Sequence, residues 1–180
     1  GPQGAADLHA AMLFDALDLW GSSRYLAPGG RRVLVFDPPD AGPWFDERTP
    51  AAFALQPQSD GDLGRRMASF FEGEFDEGAR RVVLVGSDSP TLDPSLVVGA
   101  FLCLEQKDVV LGPAADGGYY LVGCRAPLPP IFDGVAWGRP SVLAQTVERL
   151  ARSGRSLAVL PPWYDVDTPD SLDALAGHLA

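Results

Sequence analysis

The residues of this chain with the clearest capacity for chemistry are aspartates placed just beyond short apolar runs. Asp165 and Asp167 lie in Pro161-Pro162-Trp163-Tyr164-Asp165-Val166-Asp167-Thr168-Pro169. In an extended segment side chains alternate with period two, so both carboxylates project to one side. They repel there unless a cation or donor sits between them, and oxygen ligands at this spacing suit magnesium (Mg2+) or manganese (Mn2+). The competing reading is that Asp167 or Thr168 caps the helix opening at Pro169 while Asp165 is solvated, and one of the two acids is expected to be structural. Gly86-Ser87-Asp88-Ser89-Pro90 is a second place: Gly86 lets the chain turn, and Ser89 is held extended by the proline after it, which presents Asp88 at a sheet edge. Asp88 as a plain turn cap is the alternative. The third is Gly112-Pro113-Ala114-Ala115-Asp116-Gly117-Gly118-Tyr119-Tyr120. Asp-Gly-Gly is an ordinary hairpin turn, but two glycines also admit close backbone approach to a ligand, and Asp116 can bind a hydroxyl. The turn explains the glycines and leaves the two tyrosines unexplained, which favours a site.

Other chemistries lack their residues. No GxGxxG or GxxxxGK[ST] supports a dinucleotide fingerprint or a phosphate loop. Gly86-Ser87-Asp88 is not the GxSxG of a nucleophile elbow, and His9 and His178 match no triad or metal spacing. With 14 Lys plus Arg against 24 Asp plus Glu, the net charge is -10. A nucleic-acid groove needs clustered basic residues and is not expected; an anionic ligand would reach so acidic a protein through a divalent cation. Cys103 and Cys124 lie in apolar contexts without CxxC spacing and read as buried thiols of a reducing compartment, with a disulfide as the lesser reading. No apolar run approaches the roughly 20 residues of a membrane span, and no signal peptide opens the chain, so a cytoplasmic protein is expected, with no membrane partner. The abundance of Ala, Gly, Pro and Arg suggests a GC-rich bacterial genome.

Positioning these loops requires strands that end beside them. Val33–Phe36, Val82–Val85, Val109–Leu111 and Leu157–Leu160 read as buried strands, and Tyr119–Gly123 as another. Helical spacing marks Asp7–Trp20, with Leu8, Met12, Ala16, Leu19 and Trp20 on one face and Gly21-Ser22-Ser23 closing it. Asp62 can cap a helix carrying Leu63, Met67, Phe70, Phe71 and Phe75, with Gly78 after its end, and Asp93-Pro94 opens one through about Glu105. Pro140 starts a helix with Val142, Leu143, Thr146, Val147 and Leu150, and Thr168-Pro169 caps the last, with Leu172, Leu175 and Leu179 on its apolar side. The stretch 37–60 reads as a loop with a short helix near Trp44-Phe45. Strands with fully apolar cores alternating with helices imply an α/β fold with a mostly parallel sheet. At 180 residues without a repeat or linker, one domain over 1–180 is expected.

Taken in order, GPQGAADLHAAM at the start, QSDGDLGRRM at 58–67, RRVVLVGSDSPTL at 80–92, DVVLGPAADGGYYLVG at 108–123 and YDVDTPDSL at 164–172 resemble a known family. It is the small bacterial GT-A-type glycosyltransferase-like proteins, some of them named arsenosugar biosynthesis glycosyltransferases, within the nucleotide-diphospho-sugar transferase superfamily, which also holds the molybdenum-cofactor nucleotidyltransferases. The resemblance implies a Rossmann-like three-layer α/β/α fold, a divalent metal (Mg2+ or Mn2+), and a nucleotide-sugar or nucleoside triphosphate with a small-molecule acceptor. Carried over by position, Asp88 and Asp116 would be catalytic. Asp88, Asp165 and Asp167 would hold the metal, and Gly61, Asp62, Arg65, Gly117, Gly118, Tyr119 and Trp137 would contact substrate. Glycosyl transfer is the expected activity; nucleotidyl transfer and a non-catalytic binding module of the same fold are the alternatives. Two features depart from the family. Members begin with a strand and a basic loop similar to PGRVKTRL, so this chain is expected to be N-terminally truncated and to lack its first strand. Trp137-Gly138-Arg139 also stands where Trp-Ser-Thr is usual.

Overall fold

The computed structural model of the chain describes residues 1–22, 30–127 and 130–178. It divides into two compact units, Gly1–Asp60 and Gly61–Ala180.

In the first unit, helix α1 spans Pro2–Gly21 and so begins five residues before the expected start, with proline in its first turn, where no amide donor is needed. Its buried stripe is Met12, Leu13 and Leu17; Leu8, Leu19 and Trp20, expected on that face, are half-buried. Ser23 lies outside the described residues. Strand β1 (Val33–Phe36) pairs in parallel with β2 (Ala54–Pro57), Val33 opposite Ala54 and Phe36 opposite Pro57. A parallel pair requires a crossover, supplied here by residues 37–53 with the short helix α2 (Gly42–Asp46). Phe45 lies tilted against Phe36 at 4.9 Å and Trp44 meets Phe14 at 5.9 Å, which packs the crossover against β1 and α1.

In the second unit, α3 (Leu63–Asp76), β3 (Val82–Val85), α4 (Pro94–Cys103), β4 (Val109–Pro113), β5 (Tyr119–Cys124), α5 (Val142–Ser153), β6 (Leu157–Val159) and α6 (Pro169–His178) follow in order. The sheet order is β3-β5-β4-β6. β4 and β6 are parallel, and β5 is antiparallel to both of its neighbours. β3, β4 and β6 therefore share one direction and β5 alone runs back. Val109, Val110, Leu111, Leu121, Val122 and Cys124 at the centre of the sheet are almost wholly buried. β6 departs from the expected buried strand: it is an edge, and Val159 is 60% exposed.

The caps follow local chemistry. The Asp62 carboxylate accepts the Arg65 amide at 2.9 Å and the Asp93 carboxylate accepts the Ser95 amide at 2.8 Å, each meeting an otherwise orphan helix donor. Gly154 ends α5 in the left-handed region at φ 69°. On α6 Leu175 is buried, Leu172 is exposed, and Leu179 lies outside the described residues. Cys124 is buried, Cys103 half-buried, and both are free thiols. Among the described residues, no helix is long and apolar enough to cross a membrane.

Candidate active site

Because β3, β4 and β6 run the same way, the segments after their last residues emerge along one edge, the place where ligands bind in open α/β sheets. Asp88 follows β3, Asp116 follows β4, and Asp165 and Asp167 follow β6.

Hydrogen bonds tie these segments together. The Val166 amide donates to the Asp88 carbonyl at 2.9 Å and the Trp163 amide to the Pro113 carbonyl at 3.0 Å, continued by a parallel bridge between Ala114 and Trp163. The Tyr120 hydroxyl donates to the Pro161 carbonyl at 3.0 Å, and the Thr91 hydroxyl to the Tyr164 phenol oxygen at 2.9 Å. The chain from 161 to 168 is thus held extended, and Val166 is buried between the two acids that flank it.

Carboxylate oxygens of Asp116, Asp165 and Asp167 lie within 4.8 Å of one another. Octahedral Mg2+ holds oxygens at about 2.1 Å, which sets neighbouring ligands about 3 Å and opposite ligands about 4.2 Å apart, close to the spacing of these three. The donors are hard oxygens, as Mg2+ or Mn2+ requires. Asp88 is outside this trio, yet its charge reaches Asp165. Burial pushes the Asp165 carboxyl up to about 6; the charges of Asp88, Asp116 and Asp167 act the same way, and the Ser89 hydroxyl, which donates to Asp165 Oδ1 at 2.9 Å, opposes them.

Of the two candidate caps of α6, Asp167 and Thr168, the structure uses Thr168. Thr168 Oγ1 accepts the Ser171 amide at 3.2 Å, and Ser171 Oγ accepts the amides of Asp167 and Thr168 at 3.0 Å each. Capping of α6 is done by these two hydroxyl residues, and the Asp167 carboxylate stays with the acidic group.

The Asp116-Gly117-Gly118 turn is pinned from two sides. The Asp116 carboxylate accepts the Gly118 amide at 2.8 Å, and the Gly117 carbonyl accepts the Leu143 amide in the first turn of α5 at 2.9 Å. Gly117 has φ 92°, and a Cβ there would collide with the Pro140 backbone, so two separate constraints demand glycine.

The remaining expected contacts gather around Trp137. Its ring meets Tyr119 edge-on at 6.3 Å, and its Nε1 and the Phe132 carbonyl both lie 2.8 Å from where a Gly64 Cβ would sit. Gly64 belongs to the first turn of α3, so Gly61, Asp62 and Arg65 reach this neighbourhood through that contact. The Asp62 carboxylate is engaged as the cap of α3, Gly61 turns at φ 114°, and Arg65 is exposed with its stem across Gly61. The Tyr119 hydroxyl is buried beside Thr146, and burial raises its pKa. Ser89 was not singled out from the sequence; it is buried, with 7% of its surface exposed, and orients Asp165. The only signal for it was its extended position before Pro90.

Residues 23–139 match the family model DUF2064, described as an uncharacterized protein conserved in bacteria. The chain belongs to this family. The DUF2064 chain is similar to a Desulfovibrio desulfuricans protein of known crystal structure, provisionally named a nucleotide-diphospho-sugar transferase. The two are 37% identical over 93% of this chain and 74% of that one, with a TM-score of 0.81. It is also similar to CMP:2-keto-3-deoxy-manno-octonic acid synthetase complexed with CTP, at 13% identity, 93% and 87% coverage and a TM-score of 0.62. Rv0371c from Mycobacterium tuberculosis follows at 18% identity, 92% and 84% coverage and a TM-score of 0.57. No curated protein matches the sequence. The fold is thus the Rossmann-like α/β fold of nucleotide-diphospho-sugar transferases.

Proposed function

We propose that this DUF2064 protein is a divalent-metal-dependent transferase that moves a sugar from a nucleotide-sugar to a small acceptor. The observation that carries the reading is the meeting of Asp116, Asp165 and Asp167, with Asp88 close by, at the edge where β3, β4 and β6 end. These acids would hold Mg2+ or Mn2+, which when bound supplies positive charge against a leaving diphosphate. The chain's own residues do the positioning. Ser89 fixes the Asp165 carboxylate, the 161–168 segment is locked by Tyr120 and Thr91, and the Gly118 amide holds the Asp116 carboxylate. The relative provisionally named as a nucleotide-diphospho-sugar transferase, at 37% identity, supports this donor class.

Nucleotidyl transfer is the second reading, since the same acids would serve a triphosphate and the CTP-bound synthetase shares the fold. One assay separates the two. The full-length protein with Mn2+ is given nucleotide-sugars or nucleoside triphosphates, with pooled small-molecule acceptors. Release of nucleoside diphosphate supports glycosyl transfer, and release of pyrophosphate supports nucleotidyl transfer. If nucleotides shift the melting temperature and neither product forms, the non-catalytic binding module is the better reading.

A further inference from the structure

We infer that Arg139 is an anion-binding residue of this site and contacts the phosphoryl oxygens of a metal-held diphosphate. The inference rests on the transferase reading and adds a residue to it. Three carboxylates, those of Asp116, Asp165 and Asp167, come together where one divalent cation would sit, and Asp88 adds its charge from outside the trio, so the four acids with the cation leave a formal charge of -2. A diphosphate approaching that edge is repelled unless another cation stands beside the metal.

Arg139 is placed to be that cation. Gly138 turns at φ 72°, the Arg139 carbonyl accepts the Val142 amide at 3.1 Å, and the next residue, Pro140, packs its backbone against Gly117, immediately after Asp116. The root of the side chain is therefore fixed beside the acidic turn, while the guanidinium is exposed and makes no hydrogen bond or ion pair within the described residues. An arginine left unpaired in a protein of net charge -10, on the segment whose next residue packs against the Asp116 turn, is available to an incoming anion. Its planar fork matches two phosphate oxygens at once, which an ammonium does not.

Arg80 provides the control. It is also exposed and has no side-chain partner among the described residues, but it precedes β3 and so sits at the opposite end of the strand from Asp88. Arg80→Gln removes the same charge from the wrong end of the sheet.

The experiment is titration calorimetry on the full-length protein with two probes, Mn2+ alone and pyrophosphate in excess Mn2+. Arg139→Gln should bind Mn2+ as well as wild type or slightly better, because a neighbouring positive charge is gone. Its affinity for the manganese–pyrophosphate complex should fall about 10- to 100-fold, as expected for losing charge-assisted hydrogen bonds. Arg139→Lys should recover part of that loss, and Arg80→Gln should match wild type. Equal pyrophosphate affinity in wild type and Arg139→Gln, equal losses in Arg139→Gln and Arg80→Gln, or wild type that binds Mn2+ and no pyrophosphate would each overturn the Arg139 inference and leave the metal site standing. An Arg139→Gln protein that loses Mn2+ and pyrophosphate binding in parallel would show a structural role and overturn it too. Wild type that binds no Mn2+ would overturn the transferase reading along with it.

Discussion

Asp165→Asn should stabilise the metal-free protein, and only above a certain pH. The Asp165 carboxyl, ordinarily near 3.8, is held at about 6 by burial and by the charges of Asp88, Asp116 and Asp167. A raised carboxylate pKa means that the folded chain binds this proton more tightly than the unfolded chain. The group therefore costs nothing below pH 4, costs progressively more between pH 4 and 6, and carries its full penalty above that. Each pKa unit is worth about 1.4 kcal/mol, which puts the ceiling near 3 kcal/mol. Asp165 is half-buried, and screening by solvent reduces this to about 1 kcal/mol. Asparagine removes the charge and keeps an oxygen to accept from Ser89, so at pH 8 in chelator the variant should melt about 2 to 4 °C above wild type. At pH 4 the two should melt together, and saturating Mn2+ should reverse the order, raising wild type and leaving the variant behind. Thermal melts at the two pH values, with and without Mn2+, measure all three. A variant less stable than wild type at pH 8 in chelator, or a difference that does not change with pH, would refute the reasoning.

Asp88→Asn should lower Mn2+ affinity about tenfold with the fold intact or slightly stabilised, measured by calorimetry and melts, since one repelling charge is removed and the shape is kept. Gly117→Ala should cost more than about 1 kcal/mol in urea unfolding, because φ 92° and the Pro140 backbone both exclude a Cβ, and should weaken Mn2+ binding by displacing Asp116. Asp108→Asn should destabilise by about 1 to 2 kcal/mol at neutral pH without touching Mn2+ affinity. Its carboxylate accepts the amide and hydroxyl of Ser156 at 2.9 and 2.8 Å and pairs with Arg125 at 3.0 Å, joining β4, β5 and β6 at the end opposite the acids. The Ser156 bonds, with Arg125 behind them, hold its pKa down to about 2. That support is present above pH 4 and is lost as pH falls through 2, so the variant's deficit should shrink on acidification.

Much of this was legible in the residues, and the gaps have physical causes. Unbroken apolar runs identified β3 and β4, and Asp62 and Asp93 marked helix starts that the structure bears out, because burial and capping are local. β2 was missed: Ala54-Leu55-Gln56-Pro57 sits in a proline-rich stretch and becomes a strand only through its non-local ladder with β1. Leu157-Ala158-Val159 looked like a core strand, and nothing local distinguishes an edge strand from an interior one. In the site, the alternation of Asp165 and Asp167 was readable, but whether Asp167 or Thr168 capped α6 depended on Ser171 completing the cap from within the helix. Asp116 was read as a hydroxyl partner. That it stands beside the late acids follows from strand order, which sequence spacing does not encode.

Strand direction decides why so many like charges share one edge. β3, β4 and β6 deliver Asp88, Asp116 and the 165/167 pair to the same place only because β5 turns back between β3 and β4. The framework that holds the acids there uses bonds that do not involve their charges: Tyr120 to Pro161, Trp163 to Pro113, Thr91 to Tyr164 and Leu143 to Gly117. The repulsion is therefore not relieved by the loops drifting apart, and it opposes folding until a proton or a cation arrives. Neutralising Asp165, the acid on which the burial and the neighbouring charges fall, should then favour the metal-free fold while weakening cation binding, the opposite pattern from Asp108, whose carboxylate is fully partnered. A surface cluster of solvated aspartates would show neither the coupling among its members nor the inversion by Mn2+.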